Sequence, residues 1–164
     1  MYPRVIIDLK KYRSNLKYLL NTCHNNGMSV MGVSKVFCAD HKLINIMIEE
    51  EIDYIADSRI QNLIGLITDI PKVLLRLPMH GEVEQVVLHS QISLNSELST
   101  IKLLNDAAAT HDIKHGVIIM IDLGDLREGI FDKNEVFSTI DEVLKLDYVI
   151  ETIRKLFKYN DIII

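Results

Sequence analysis

A chain of 164 residues with 48% hydrophobic and 25% charged side chains has the apolar content for one packed domain and is not the composition of a disordered segment. Its formal net charge of −5 argues against binding a phosphate backbone as the main task, though a local cationic pocket stays possible. Cys23 and Cys38 make neither a disulfide framework nor a metal motif, no apolar run approaches the roughly 20 residues of a membrane span, and Met1-Tyr2-Pro3-Arg4 does not open a secretory signal, so a reducing cytoplasm is the expected compartment.

Along the chain, short β-branched runs alternate with stretches of helical periodicity. Val5-Ile6-Ile7 is the first run. A helix over Lys10 to Asn25 follows, with Tyr12, Leu16, Leu19 and Leu20 on one face and Gly27 beyond its end. Ser29 to Phe37 is the second run, and Asp40 is placed to cap a helix over His41 to Glu51. Tyr54-Ile55-Ala56 comes third, with Asp57 or Ser58 as cap of a helix through Asn62 and Ile67. Pro71 opens and Pro78 ends a run over Lys72 to Leu77, and Gly81 to His89 is a short helix. Ile92-Ser93-Leu94 leads to Ser96 as N-cap and a helix over Leu98 to Ala109. Gly116 to Leu123 is the clearest strand, followed by Asn134 as cap of a helix from Glu135 to Lys145. Asp147-Tyr148-Val149-Ile150 can begin a seventh strand, before a Lys-rich helical stretch over Glu151 to Asn160 and a final Asp161-Ile162-Ile163-Ile164.

Six β-then-α units with short connections predict a parallel sheet. An open doubly wound sheet and a β/α barrel both fit. No G-x-G-x-x-G follows the first run, which weakens the dinucleotide-binding version.

Lys35 stands at the C-terminal end of the apolar run Val30-Met31-Gly32-Val33-Ser34-Lys35-Val36-Phe37. Burial there would favour a neutral, nucleophilic amine, and strand ends form the active face of barrel enzymes. The segment Asp122-Leu123-Gly124-Asp125-Leu126-Arg127-Glu128-Gly129 is a charged loop between glycines that can aim a guanidinium at an anion. Taken alone, such a loop is more often a solvated turn with local salt bridges. Asn95-Ser96-Glu97 and Asp57-Ser58-Arg59 follow strands and are helix starts or site residues. Arg76, in an apolar strand end, is placed to pair with a nearby acid. His111 and His115 straddle a helix-to-strand junction without a completing ligand and read as surface residues, so no metal site is expected. Cys38 reads as structural.

Tyr2-Pro3-Arg4-Val5-Ile6-Ile7-Asp8-Leu9 and Gly32-Val33-Ser34-Lys35-Val36-Phe37-Cys38 resemble the alanine-racemase N-terminal-domain superfamily. Ala56-Asp57-Ser58-Arg59-Ile60, Val73-Leu74-Leu75-Arg76-Leu77-Pro78-Met79, Ile92-Ser93-Leu94-Asn95-Ser96-Glu97 and Asp122 to Gly129 resemble its ornithine-racemase branch. The resemblance covers roughly residues 2–146. It implies a TIM-type β/α barrel of the fold-type III pyridoxal-phosphate enzymes. Lys35 matches the lysine that forms the internal aldimine and serves as acid/base on one face of the substrate. Arg127 matches an arginine near the cofactor, and Asn95 sits at a matching strand end.

The expected activity is therefore amino-acid racemisation, with ornithine or a similar amino acid as substrate and pyridoxal 5'-phosphate as cofactor. Neither nucleic acid nor membrane is an expected partner, whereas a homo-oligomer or association through exposed edges is. Alternatives are a non-catalytic protein that maintains pyridoxal-phosphate levels, or an inactive fragment. Complete barrels of this type need about 250 residues. Residues 1–146 are thus expected to form a partial barrel of about six units, with 147–164 as a divergent tail and the family's later phosphate-holding loops missing.

Overall fold

The structure is a computed structural model that describes residues 3–124 and 126–149. Asp8 starts α1 (Leu9–His24) by accepting from the backbone N–H groups of Lys10 and Lys11 at 3.0 and 3.1 Å. The helix buries Leu20 and Cys23, and its Arg13 and Lys17 form ion pairs with the acids that end the next helix, Arg13 with Glu49 and Glu50 and Lys17 with Glu50. Gly27, at φ +70°, turns the chain toward the sheet.

Five parallel strands follow in alternation with helices. They are β1 (Met31–Val33), β2 (Tyr54–Asp57), β3 (Lys72–Leu74), β4 (Ile92–Asn95) and β5 (Gly116–Ile119). The helices are α2 (His41–Glu49), α3 (Ile60–Ile64), α4 (Val83–His89), α5 (Leu98–Thr110) and α6 (Lys133–Val143). The spatial order of the strands is β1-β2-β3-β4-β5, the same as the chain order. A doubly wound sheet reverses direction at a switch point. Here it never reverses, and because parallel crossovers are right-handed, every helix falls on one face.

The core shows the same division. A large cluster joins helix residues such as Leu20, Ile44, Leu63, Ile101 and Leu104 to the strand residues Ile55, Leu74 and Val117. A second cluster on the opposite strand face, Met31, Ala56, Val73 and Ile92, draws on strand residues and their immediate continuations, Leu75 and Ile118 among them. Helices outside and a side-chain-filled inside make the arrangement of a β/α barrel. Gly32 permits the close fit of α2, since a Cβ there would lie 2.5 Å from Ile52 Cδ1 and 3.0 Å from Met47 Sδ.

The expected first strand is not formed. Val5 and Ile6 are 91% and 77% exposed. A strand requires a hydrogen-bonded neighbour, and the described residues provide none, so five strands stand where six were expected. The expected N-cap at Asp40 is confirmed, its carboxylate accepting from Lys42 N–H at 3.0 Å. Other caps are displaced. Arg59 precedes α3 without a side-chain bond, Glu97 rather than Ser96 precedes α5, and Asp132 rather than Asn134 caps α6 by accepting from the N–H groups of Asn134 and Glu135.

α3 stops at Ile64, short of the expected Ile67, because the buried Lys72 ammonium takes the carbonyls of Leu63 and Leu66, each at 3.2 Å. Burial of that ammonium pushes its pKa down. Residues 147–149 form no strand; Tyr148 O accepts the N–H of His115 at 3.0 Å. The helical stretch and apolar end expected over 151–164 lie outside the described residues. Among the described residues, no helix is long and apolar enough to cross a membrane.

Candidate active site at the strand ends

β1 ends at Val33, and the next four residues leave the sheet. Buried Ser34 is followed by a 3₁₀ turn over Lys35–Phe37 and then by Cys38 and Ala39, both left-handed at φ 50° and 54°. Ser34 N–H donates to Ala56 O at 2.8 Å, and Ser34 Oγ donates to Asp57 Oδ2 at 2.7 Å. The other oxygen of Asp57 accepts the N–H of Arg59 at 2.9 Å. One buried carboxylate thus ties the turn that carries Lys35 to the turn that carries Arg59. The burial expected for Lys35 is absent. The strand is shorter than the apolar run, and the side chain is exposed at the rim.

On the far edge, the loop after β5 is closed on itself. Ile130 N–H donates to Met120 O at 2.9 Å and Asp122 N–H donates to Ile130 O at 3.1 Å. Asp122 Oδ1 accepts the N–H groups of Gly124 and Leu126 at 2.7 and 3.2 Å. Gly129 sits at φ +111°, and a Cβ there would lie 2.6 Å from Asp122 N. The closure leaves Arg127 exposed at the loop tip.

Lys35 and Arg127 line one cavity of about 730 Å³, together with Arg59 and Arg76. That volume is in the usual range for small-molecule sites. Arg76 is committed: its guanidinium bonds Ser58 O at 2.8 Å and Leu77 O at 3.0 Å and pairs with Glu82 at 2.5 Å, the acid partner expected for it. Lys35, Arg59 and Arg127 have no ion-pair partner among the described residues. Two carboxylates, Glu82 and Glu128, face four cations. The cavity suits an anion. Lys35 follows β1 and Arg127 follows β5, opposite edges of the sheet. A flat sheet would hold those strands about 19 Å apart, four spacings of about 4.8 Å. The loop after β5 and the turn after β1 thus bring residues from the two edges to one cavity at the strand ends.

Asn95 lies elsewhere. It lines an adjoining cavity of about 280 Å³ with Met79, His80, Glu97 and Thr100, and Met79 lines both spaces. Ile92 belongs to the inner cluster, so by strand alternation Ser93 and Asn95 face the helices. Asn95 Nδ2 donates to Ser93 O at 2.9 Å and Ser93 Oγ at 3.0 Å. Ser93 Oγ in turn lies 2.9 Å from His115 Nε2, and His115 Nδ1 lies 3.2 Å from Ser90 O. A carbonyl only accepts, so Nδ1 carries the proton and Nε2 accepts from the serine.

His115 is 2% exposed, contrary to its expected surface position. The helix ends at Thr110, so the four-residue spacing puts His111 and His115 in different surroundings. His111 stays exposed beside Glu84 at 3.0 Å. Burial pushes the His115 imidazole down to about 4, against a smaller opposing effect of the Ser90 carbonyl. The sequence reading missed Ser34 and Asp57 as a buried pair; an acid closing a buried parallel strand was the available signal.

The family model described as alanine racemase, N-terminal domain, matches residues 7–159. The chain belongs to that family. It is 47% identical over 151 residues to the ornithine racemase of Acetoanaerobium sticklandii, a match covering 91% of this chain and 42% of the relative. It is 30% identical over 139 residues to the lysine racemase of Thermotoga maritima, covering 83% of this chain and 39% of the relative. The chain thus spans about two fifths of the length of these racemases. Alanine racemase from Bartonella henselae, solved with covalently bound pyridoxal phosphate, shares the fold with a TM-score of 0.71 at 20% identity, over 87% of this chain and 42% of that one.

Proposed function

We propose that this chain carries the cofactor-bearing part of a pyridoxal-phosphate-dependent amino-acid racemase acting on ornithine or a similar amino acid. The observation that carries the reading is the meeting of Lys35 and Arg127, from opposite sheet edges, in one cationic cavity. The two racemase relatives support the reaction class and the choice of a basic amino acid. Residues 1–146 are taken as the cofactor-binding unit, and the family match continues to residue 159.

The donor set fits the cofactor. An exposed primary amine can bond an aldehyde carbon, and unpaired guanidinium groups can hold phenolate, phosphate or carboxylate oxygens. When bound, pyridoxal phosphate supplies an electron sink for the charge left at the substrate α-carbon. Lys35 Nζ is the group that bonds the cofactor and that takes or returns the α-proton on one face. Arg127 donates to an anionic oxygen beside it. The Ser34–Asp57 bond orients the lysine turn by holding the backbone before it. Asn95, expected to contact the cofactor, lines the adjoining cavity instead.

The test is to incubate the full chain with pyridoxal phosphate, reduce with borohydride and locate the adduct by peptide mass spectrometry. The expected adduct is on Lys35 and is absent from Lys35→Ala. No adduct, or equal labelling in Lys35→Ala, overturns the cofactor assignment. Loss of α-deuterium from ornithine then separates a racemase from a protein that only binds the cofactor.

A further inference from the structure

The two adjoining cavities have opposite polarity. Among the described residues, the larger carries cations without ion-pair partners; the smaller carries one buried acceptor without a donor and one carboxylate without a cation. Asn95 is 1% exposed, and its Oδ1 is buried with no hydrogen-bond partner among the described residues. Its orientation is not arbitrary. Ser93 O can only accept, so the amide nitrogen must face it, and Oδ1 is the branch turned away from Ser93. The Ser93–His115–Ser90 chain locks that choice from behind, because neutral His115 accepts from Ser93 Oγ and leaves the serine oxygen free to accept from Asn95. A buried carbonyl oxygen without a donor is costly unless a ligand or water supplies one.

Glu97 lines the same cavity. Its carboxylate has no ion-pair partner among the described residues and accepts only a long bond from Thr100 Oγ1, at 3.4 Å. His80, the nearest candidate cation, lies against Thr100 Oγ1 at 3.3 Å instead. Leu77 and Pro78 add apolar wall. A neutral acceptor, a free carboxylate and apolar sides match a short alkyl chain ending in an ammonium, which brings up to three donors and a positive charge.

We propose that this cavity is an ammonium subsite in which Asn95 Oδ1 and the Glu97 carboxylate receive the distal amine of a diamino acid. The subsite rests on the proposed function, in which the α-carbon of that amino acid is presented to Lys35. Met79, lining both spaces, marks the passage along which the side chain would run. The larger cavity takes the anionic end and the smaller the cationic end, so the pair reads charge at both ends of the substrate. The opposite polarity is what discriminates: a neutral side chain leaves the buried Asn95 Oδ1 without a donor and the Glu97 carboxylate without a cation.

The test compares ornithine with norvaline, which has the same carbon chain without the distal amine. Each is titrated into the full-length ¹⁵N-labelled chain by NMR. Ornithine is expected to bind more tightly and to move the Asn95 side-chain amide and the Thr100 backbone signal. Glu97→Gln, at an exposed position that makes no side-chain cap bond, should weaken ornithine about tenfold and leave norvaline unaltered. Equal affinity for the two ligands, no binding of ornithine, shifts confined to other parts of the molecule, or unchanged ornithine affinity in Glu97→Gln each overturn the subsite. The borohydride adduct on Lys35 is measured separately on the same protein. An adduct without ornithine preference removes the subsite and keeps the cofactor reading; ornithine preference without an adduct does the reverse.

Discussion

The side-chain amide of Asn95 donates to Ser93 Oγ across 3.0 Å, and that bond exists only while the serine proton points the other way, to His115 Nε2. The direction of one donor therefore depends on the protonation of a buried imidazole. A proton on Nε2 would remove the acceptor and force the serine hydroxyl to turn.

Acid should accordingly destabilise the fold through His115. Its folded pKa is about 4 and its ordinary value is 6.5. Between those values the unfolded chain binds a proton that the folded chain does not, so stability is full above about pH 6.5 and is lost as pH falls toward 4. The shift corresponds to about 3 kcal/mol at most. Chemical denaturation at several pH values should show a steeper decline for the wild-type chain than for His115→Gln. Parallel declines would remove His115 from the account.

Gly129 and Gly124 separate two causes of glycine requirement. Both have φ +111°, but a Cβ at Gly129 meets the Asp122 and Ile121 backbone at 2.6 and 2.8 Å, whereas nothing lies within 4 Å of one at Gly124. Gly124→Ala should cost about 1 kcal/mol, from backbone strain alone. Gly129→Ala should cost on the order of 2–3 kcal/mol and disturb the loop that presents Arg127. Equal losses in thermal unfolding would show that the close approach contributes nothing.

Arg127→Lys keeps the charge and discards the planar fork. Affinity for pyridoxal phosphate should fall about tenfold, because an ammonium cannot reproduce the planar donor fork of a guanidinium. Fluorescence titration gives the affinity. An unchanged value would place Arg127 outside the contacts of the bound cofactor.

Cys38 pays for a left-handed backbone, φ 50°, at an exposed position beside the lysine turn. Asparagine tolerates that region better without the entropy cost of glycine. Cys38→Asn should stabilise the fold by about 0.5 kcal/mol in urea unfolding. A loss of stability would mean that the thiol makes a contribution the geometry does not reveal.

Legibility in the sequence followed the physics of each element. Periodicity located the helices to within a few residues, since burial of one face determines both the pattern and the structure. It also suggested a strand at Val5-Ile6-Ile7, where composition is right but the described residues offer no neighbour to pair with. Strand formation depends on a partner that local sequence does not encode. Lys35 and Arg127 were singled out from their blocks, and both line one cavity. Asn95 was singled out too, but alternation from Ile92 turns it toward the helices, a consequence of register rather than residue type. His115 was misjudged because its exposure depends on Ser93 and on the chain at Tyr148, both far away in sequence.

The five strands stand in chain order, with Lys35 beyond the first and Arg127 beyond the last. A ligand gripped by both acts as a brace across the two margins of the sheet. Part of its binding free energy then holds those margins in place instead of adding affinity. By linkage such a ligand raises the melting temperature according to its concentration and affinity, so free energy taken up in holding the two margins appears as weaker binding. The cavity between Lys35 and Arg127 thus doubles as a gauge of how firmly the five described strands hold their two margins together.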